Sequence, residues 1–307
     1  ATNKHISNNE QKSSNQQSLV MTTPARTRIE SLDLLKGLVI VIMALDHTRD
    51  YIHAASFIID PADPTQSTLS IFFTRWITDF CAPAFSFLAG LSAFMIGKRK
   101  TPSELSVFLL KRGLWLVFIE LTIITFGWHF DIHFRDFALQ VIWCLGISMI
   151  LLAGLLHLPK TIILVFSCIL IFGHNLLDTV HFDGNILWSI LHERNRFAFA
   201  EGHYFRTVYP LIPWVAVMSL GYCFGSLYDS SFEAAKRRKV LNLIGICAIM
   251  LFFVLVVINK YGDPVRWTNS DDISKTLMSV FNVTKYPPSL LFLLMTLGVT
   301  FLFLANS

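Results

Sequence analysis

Charge is the scarcest ingredient of this chain. Only 15% of its 307 residues are Asp, Glu, Lys or Arg, where a soluble domain carries about a quarter, so a water-exposed surface of ordinary composition is excluded. Paired cysteines are missing too. Cys81, Cys144, Cys168, Cys223 and Cys247 are odd in number, lie in apolar segments and form no C-x-x-C pair. That pattern supports neither a disulfide framework nor a metal site, and reads as small buried hydrophobes. The net charge of +4 arises from short basic clusters beside apolar runs, so no nucleic-acid partner follows from it. Residues 1–28 lack the apolar core of a cleavable signal peptide. Rich in Asn, Gln and Ser, they are expected to form a disordered cytoplasmic tail.

What the chain has instead is apolar length. Hydrophobic residues make up 53%, with 27 Phe and 7 Trp, and the mean hydropathy is +0.55. This is an integral membrane protein. Spans of about 20 apolar residues fit at roughly 32–53, 71–97, 107–128, 137–157, 161–178, 207–228, 240–259 and 289–305. The expectation is an all-α, polytopic transmembrane bundle occupying 29–307. The last run, "LLMTLGVTFLFLANS", ends abruptly at Ser307, so further spans in a longer protein are expected. Arg26, Arg28, "KRK" at 98–100, Lys111, Arg112, Lys160 and "KRRK" at 236–239 fall on one side if the N-terminus is cytoplasmic, as positive-inside bias requires. Eight of the ten His then collect at or near the opposite side.

Against that background the stretch "MALDHTRDYIH" at 43–53 stands out, because charges at bilayer depth are rare unless they face a wet cavity or a partner. Residues three and four apart share a helix face, so Asp46, Arg49, Asp50 and His53 form one stripe, and His47 has Asp50 at i+3. A carboxylate beside an imidazole is the usual beginning of a general base, and Asp46 and Asp50 both flank His47. "FFTRWITDFCAPAFSFLAG" adds Arg75, Trp76 and Asp79, with Arg75 and Asp79 at i, i+4. Glu120 falls late in another outward span, so that Asp46, Arg49, Arg75, Asp79 and Glu120 would share the outer half of the membrane around one polar cavity. Lys285, in "KYPPSL", could cap it or touch an anionic group. Three uses stay open for these charges: mutual pairing that holds spans together, proton relay, or catalysis. "WHFDIH" at 128–133 spaces His129 and His133 at i, i+4 around Asp131, too thin a set for a metal, and none is expected.

Taken together, "RIESLDLLKGLVIVIMALDHTRDYIH", "FFTRWITDFCAPAFSFLAG", "VIWCLGISMILLAGLLHLP", "YPLIPWVAVMSLGYCFG" and "VTKYPPSLLFLLMTLG" resemble, in order from about residue 28 to the end, the bacterial branch of the heparan-α-glucosaminide N-acetyltransferase-like family of transmembrane acyltransferases. "SLDLLKG" is similar to that family's S-x-D-x-x-[RK]-G entry. The resemblance implies a bacterial inner-membrane enzyme that moves an acetyl group from cytosolic acetyl-CoA to an amine or hydroxyl of an extracytoplasmic sugar or glycan. It implies a key His after the first span, acting as base or carrying the acetyl group. His47 and His53 both lie in the corresponding stretch, and the lysosomal sequences are longer in this loop. His47, with Asp46 and Asp50, is preferred. Arg49, Arg75 or Trp76 would stabilise the oxyanion, and the basic clusters would suit the phosphates of acetyl-CoA. Oligomerisation is left open. The rival class is a proton-coupled secondary transporter using Asp46, Asp79 and Glu120, which inverted repeats would favour; none is visible.

Overall fold

A computed structural model of the chain describes residues 29–52 and 67–307, with the Asp50 side chain excepted. The expected tail 1–28 and His53 therefore lie outside the described residues. The fold is mostly helical. Helix α1 (Glu30–Ile52) is followed by α2 (Leu69–Thr78) and α3 (Cys81–Gly97), which together fill the segment expected as one span. The interruption is the pair Asp79 and Phe80, directly ahead of the α3 start. Helix α4 (Pro102–Ile119) opens on a reciprocal capping box, in which Thr101 and Glu104 satisfy each other's backbone N–H. It runs on through a π-helical turn, Glu120–Ile124, into α5 (Thr125–His129). Next come β1 (Asp136–Leu139), α6 (Val141–Leu155), α7 (Lys160–Gly173) and the short α8 (Ile186–Leu191). The chain closes with β2 (Arg196–Ala200), β3 (His203–Thr207), α9 (Leu211–Phe224), α10 (Ala234–Ile258), α11 (Ile273–Phe281) and α12 (Leu290–Asn306).

Helix α9 is the hub, packed on α3, α7 and α6, while α12 lies against α10, α3 and α1. Small residues set these approaches, as they do where apolar packing competes with lipid. A Cβ on Gly90 would run into the Met218 carbonyl, and one on Gly221 into that of Phe87, so α3 and α9 touch backbone to backbone. The α4–α6 pair repeats the device: a Cβ on Gly113 would come within 2.5 Å of the Gly146 carbonyl oxygen.

Two differences from the sequence reading follow. The chain is not purely helical, because β1, β3 and β2 form a three-stranded sheet in that order, β1 parallel to β3 and β2 antiparallel to it. Its strands are four or five residues long, and β1 lies more than fifty residues ahead of the β2–β3 hairpin it joins, so no local signal announces the sheet. Among the described residues, four stretches are long and apolar enough to cross a membrane, Leu69–Gly97, Lys160–Leu177, Leu211–Tyr228 and Ala234–Ile258, against the eight spans expected. Val141–Leu155 and Leu290–Asn306 are apolar but shorter, and α1 and α4 carry several charged residues along their length.

Candidate active site

The charges singled out in the sequence meet at the end of the bundle where α1 finishes and α12 begins. Late in α1, Asp46 accepts a hydrogen bond from Arg49 at 2.5 Å, one turn away. The same carboxylate faces Arg75 of α2 across 3.6 Å. Arg75 lies 3.4 Å from Asp79, and Asp79 accepts from the Lys285 ammonium at 3.0 Å. Cations and carboxylates thus alternate, Arg49–Asp46–Arg75–Asp79–Lys285, with these side chains only 12–21% exposed. Each carboxylate sits between two cations, which is what makes half-buried charge tolerable. Arg75 also donates to the Thr78 hydroxyl.

Backbone features aim these groups. Helix α2 ends at Thr78, so Asp79 occupies the break before α3 instead of a helix flank. Lys285 precedes the cis Tyr286–Pro287 bond, in a turn closed by an isolated bridge to Pro288. Tyr286 shares a hydroxyl–hydroxyl hydrogen bond of 3.2 Å with Tyr209, directly before α9. Trp76 stands in an aromatic group with Phe73, Phe80 and Phe281. Its indole N–H points at the Met295 sulfur at 3.2 Å, so that donor is already engaged.

The remaining candidates fall elsewhere. His47 is exposed on α1 and meets the Trp128 ring edge-on at 5.8 Å, while Tyr51 stacks on the same indole at 5.0 Å. No hydrogen bond joins His47 to Asp46 among the described residues; the arginines hold that carboxylate. Glu120 is not part of the alternating chain. It is 1% exposed at the π-helical turn, where one carboxylate oxygen accepts from the Trp143 amide at 3.0 Å in the first turn of α6. There an acceptor stabilises free helix donors. Its other oxygen has no hydrogen-bond partner among the described residues. Around "WHFDIH", Asp131 binds Arg135 at 2.8 Å and His129 bonds the Thr125 carbonyl and Arg206. The Arg135 guanidinium, followed by the His133 amide, holds Asp131 well below the usual carboxylate range. No His, Cys and carboxylate set suited to a metal occurs among the described residues.

Sequence reasoning missed one polar group at the same end. His192 is 2% exposed, and its Nε2 lies 3.2 Å from Asp178. His181 and Glu193 pair at 2.7 Å, and Asn175 ties Asp178 to the first amide of α12. The signal lay in "DTVHFDGNILWSILHERN", where three carboxylates and two His share eighteen residues. At the opposite end of the bundle the basic clusters gather. Lys98 donates to the Tyr228 carbonyl and pairs with Asp229 at 3.3 Å. Lys160 lies over Phe94, Arg237 over Tyr228, and Arg238 reaches Asn306.

Comparison with known proteins adds the family. The profile described as Heparan-alpha-glucosaminide N-acetyltransferase, catalytic, matches residues 28–257, a stretch that contains α1 to α9, all of α10 but its last residue, and every candidate predicted from the sequence except Lys285. No curated protein and no solved structure matches the chain.

Proposed function

The chain belongs to the heparan-α-glucosaminide N-acetyltransferase catalytic family, a family of membrane acetyltransferases, and from that premise we propose that residues 29–307 act as one acyltransferase domain. It takes an acetyl group from cytosolic acetyl-CoA and gives it to an amine or hydroxyl of an extracytoplasmic sugar or glycan. The N-terminus is cytoplasmic and the membrane is a bacterial inner membrane. The observation that carries this reading is the family match joined to a two-ended molecule. Phosphate-compatible basic residues gather at one end and a chain of partly buried ion pairs at the other.

The chemistry asks for few groups. The acceptor nitrogen or oxygen attacks the thioester carbonyl carbon, the C–S bond breaks, and coenzyme A leaves as the thiol once protonated. His47, exposed and braced by Trp128, takes the proton from the acceptor; Asp50 is the carboxylate proposed to support it. Asp46 and Asp79 serve the site indirectly, holding Arg49, Arg75 and Lys285 in place. Arg75 or Arg49 then stabilises the tetrahedral oxyanion from a position fixed beforehand. Lys98–Lys100, Lys111, Arg112 and Lys236–Lys239 receive the phosphates of acetyl-CoA.

One observation favours a second reading. The buried Glu120 carboxylate, one oxygen of which meets no hydrogen-bond donor among the described residues, is a feature that proton-coupled transporters also use. Thiol release from acetyl-CoA by the full chain in detergent, with glucosamine as acceptor, decides between them. Release that disappears in His47→Ala or in His53→Ala supports the acyltransferase and identifies its histidine. Proton-coupled flux in proteoliposomes with no acetyl-CoA consumed would replace it by the transporter.

A further inference from the structure

The loop between α7 and α9 holds an open cavity of roughly 330 Å³ lined by Asp178, His181, His192, Glu193, Arg194 and Asn195, with Pro264 and Pro287 completing the lining. Its wall is built, not incidental. Asp178 accepts from Asn175 at 2.7 Å and lies against His192. Glu193 accepts from the Trp188 indole at 3.0 Å, from His181 and from Asn195. Buried His192 has no hydrogen-bond partner for its Nδ1 among the described residues, an unmet hydrogen bond in a nearly water-free position. The Arg194 guanidinium is exposed and rests over the Tyr286 ring at 5.0 Å, with its N–H donors pledged to no hydrogen bond among the described residues. Tyr286 is also the ring beneath Lys285. The cavity therefore adjoins the ion-pair chain across a single residue, with Lys285 on one side of Tyr286 and Pro287 on the other.

We propose that this cavity is a binding subsite for a hydroxyl-rich ligand of the sugar class, and that it seats the ring of the acetyl acceptor beside the ion-pair chain. The chemistry of the lining selects that class. Carboxylates, imidazoles, an amide and a guanidinium intermixed in one small concavity match the alternating donors and acceptors of adjacent hydroxyls. A purely anionic ligand would meet Asp178 and Glu193, and an apolar one would leave His192 and Arg194 unsatisfied. The assignment of the ligand as the acceptor rests on the function proposed above; the assignment of the cavity as a sugar site does not.

The test uses the full chain in detergent and isothermal titration with D-glucose, D-glucosamine and, as a charge control, sodium sulfate. Arg194→Gln and Glu193→Gln are the principal variants, and His181→Ala, at the exposed rim, guards against misfolding. Both sugars are expected to bind the wild-type chain, and each principal variant to bind roughly tenfold more weakly, as loss of a charge-assisted hydrogen bond predicts. Acetyl-CoA affinity should stay unchanged. Absence of sugar binding to the wild-type chain, undiminished binding in all three variants, or tighter binding of sulfate than of either sugar would overturn the subsite. Sugar binding without any thiol release would sink the acetyltransferase reading and leave the subsite standing. Acetyl transfer with an unaltered sugar KM in the variants would do the reverse.

Discussion

Each residue in the ion-pair chain answers to two neighbours, and that sets what its removal does. Deleting the Asp79 carboxylate strands Lys285 and leaves Arg75 with only Asp46, in a place where both cations are 79% or more shielded. Asp79→Ala should lower stability by about 3 kcal/mol, read as a fall in Tm of the detergent-solubilised protein, and a shift within error would mean that water reaches these charges freely. His47→Ala touches none of those pairs. It should leave Tm unchanged and abolish thiol release, so the two substitutions separate structure from chemistry. Outside the spans, Asp263 offers a pH test. It is 5% exposed and accepts hydrogen bonds from the Val265 amide and from the Thr284 amide and hydroxyl, yet burial outweighs them and pushes its carboxyl above the usual range. In the window between the unfolded and folded values the native state binds more protons than the unfolded one. Stability therefore falls as pH rises through that window and is greatest below it. Asp263→Asn should flatten the fall in a series of thermal melts between about pH 4 and 7; an unaltered slope would assign it to another group.

At the scale of elements the decisive contacts are glycine-mediated. Helices α3 and α9 meet through Gly90 and Gly221 with no room for a methyl group, whereas Gly37 in α1 has open space around its Cα. Gly221→Ala should force the pair apart and cost about 2 kcal/mol or more. Gly37→Ala should be neutral or stabilising by up to about 1 kcal/mol, through helix propensity alone. Equal effects of the two on Tm would refute the close-approach account. These same elements show what the sequence could and could not disclose. The apolar runs announce α3, α7, α9 and α10 because bilayer length is written directly in composition. The stripe of Asp46 and Arg49, and the i, i+4 pair of Arg75 and Asp79, announce polar contacts, since helical spacing fixes their faces. Mutual pairing that holds spans together was among the uses the sequence left open, and Arg75 of α2 supplies it by facing Asp46; other partners distant in the chain were hidden. Glu120 looks like a member of the same cluster, but it stands over the first turn of α6, whose free amides only the folded pair α4–α6 brings within range. The sheet, and the pairing of Asp178 with His192, depend on loop closure between segments that carry no periodic pattern of their own.

For the whole molecule, the separation of charge between the two ends is the feature on which the proposed function turns. Lys98, Lys160, Arg237 and Arg238 gather where α3, α9 and α12 end and α7 and α10 begin. The ion-pair chain and the His-rich cavity lie at the ends opposite. A transfer from a cytosolic donor to an outside acceptor needs that polarity, with anionic phosphates on the basic side and the acceptor on the other, and the positive-inside bias gives the same direction. Near Lys98, the Ser231 amide and the Lys98 ammonium hold Asp229 below its ordinary range, so this end keeps its ion pair throughout the neutral range. The orientation is testable without knowing any substrate. A cysteine introduced at Ser231, beside Asp229, and another at Ser270, in the loop before α11, should respond oppositely to a membrane-impermeant maleimide applied to intact cells. Ser270→Cys is expected to label at once and Ser231→Cys only after permeabilisation. The native thiols lie within apolar helices and should contribute little. The reverse pattern would invert the molecule, placing the ion-pair chain on the cytosolic side, and would remove the need for any group to cross the membrane during acetyl transfer.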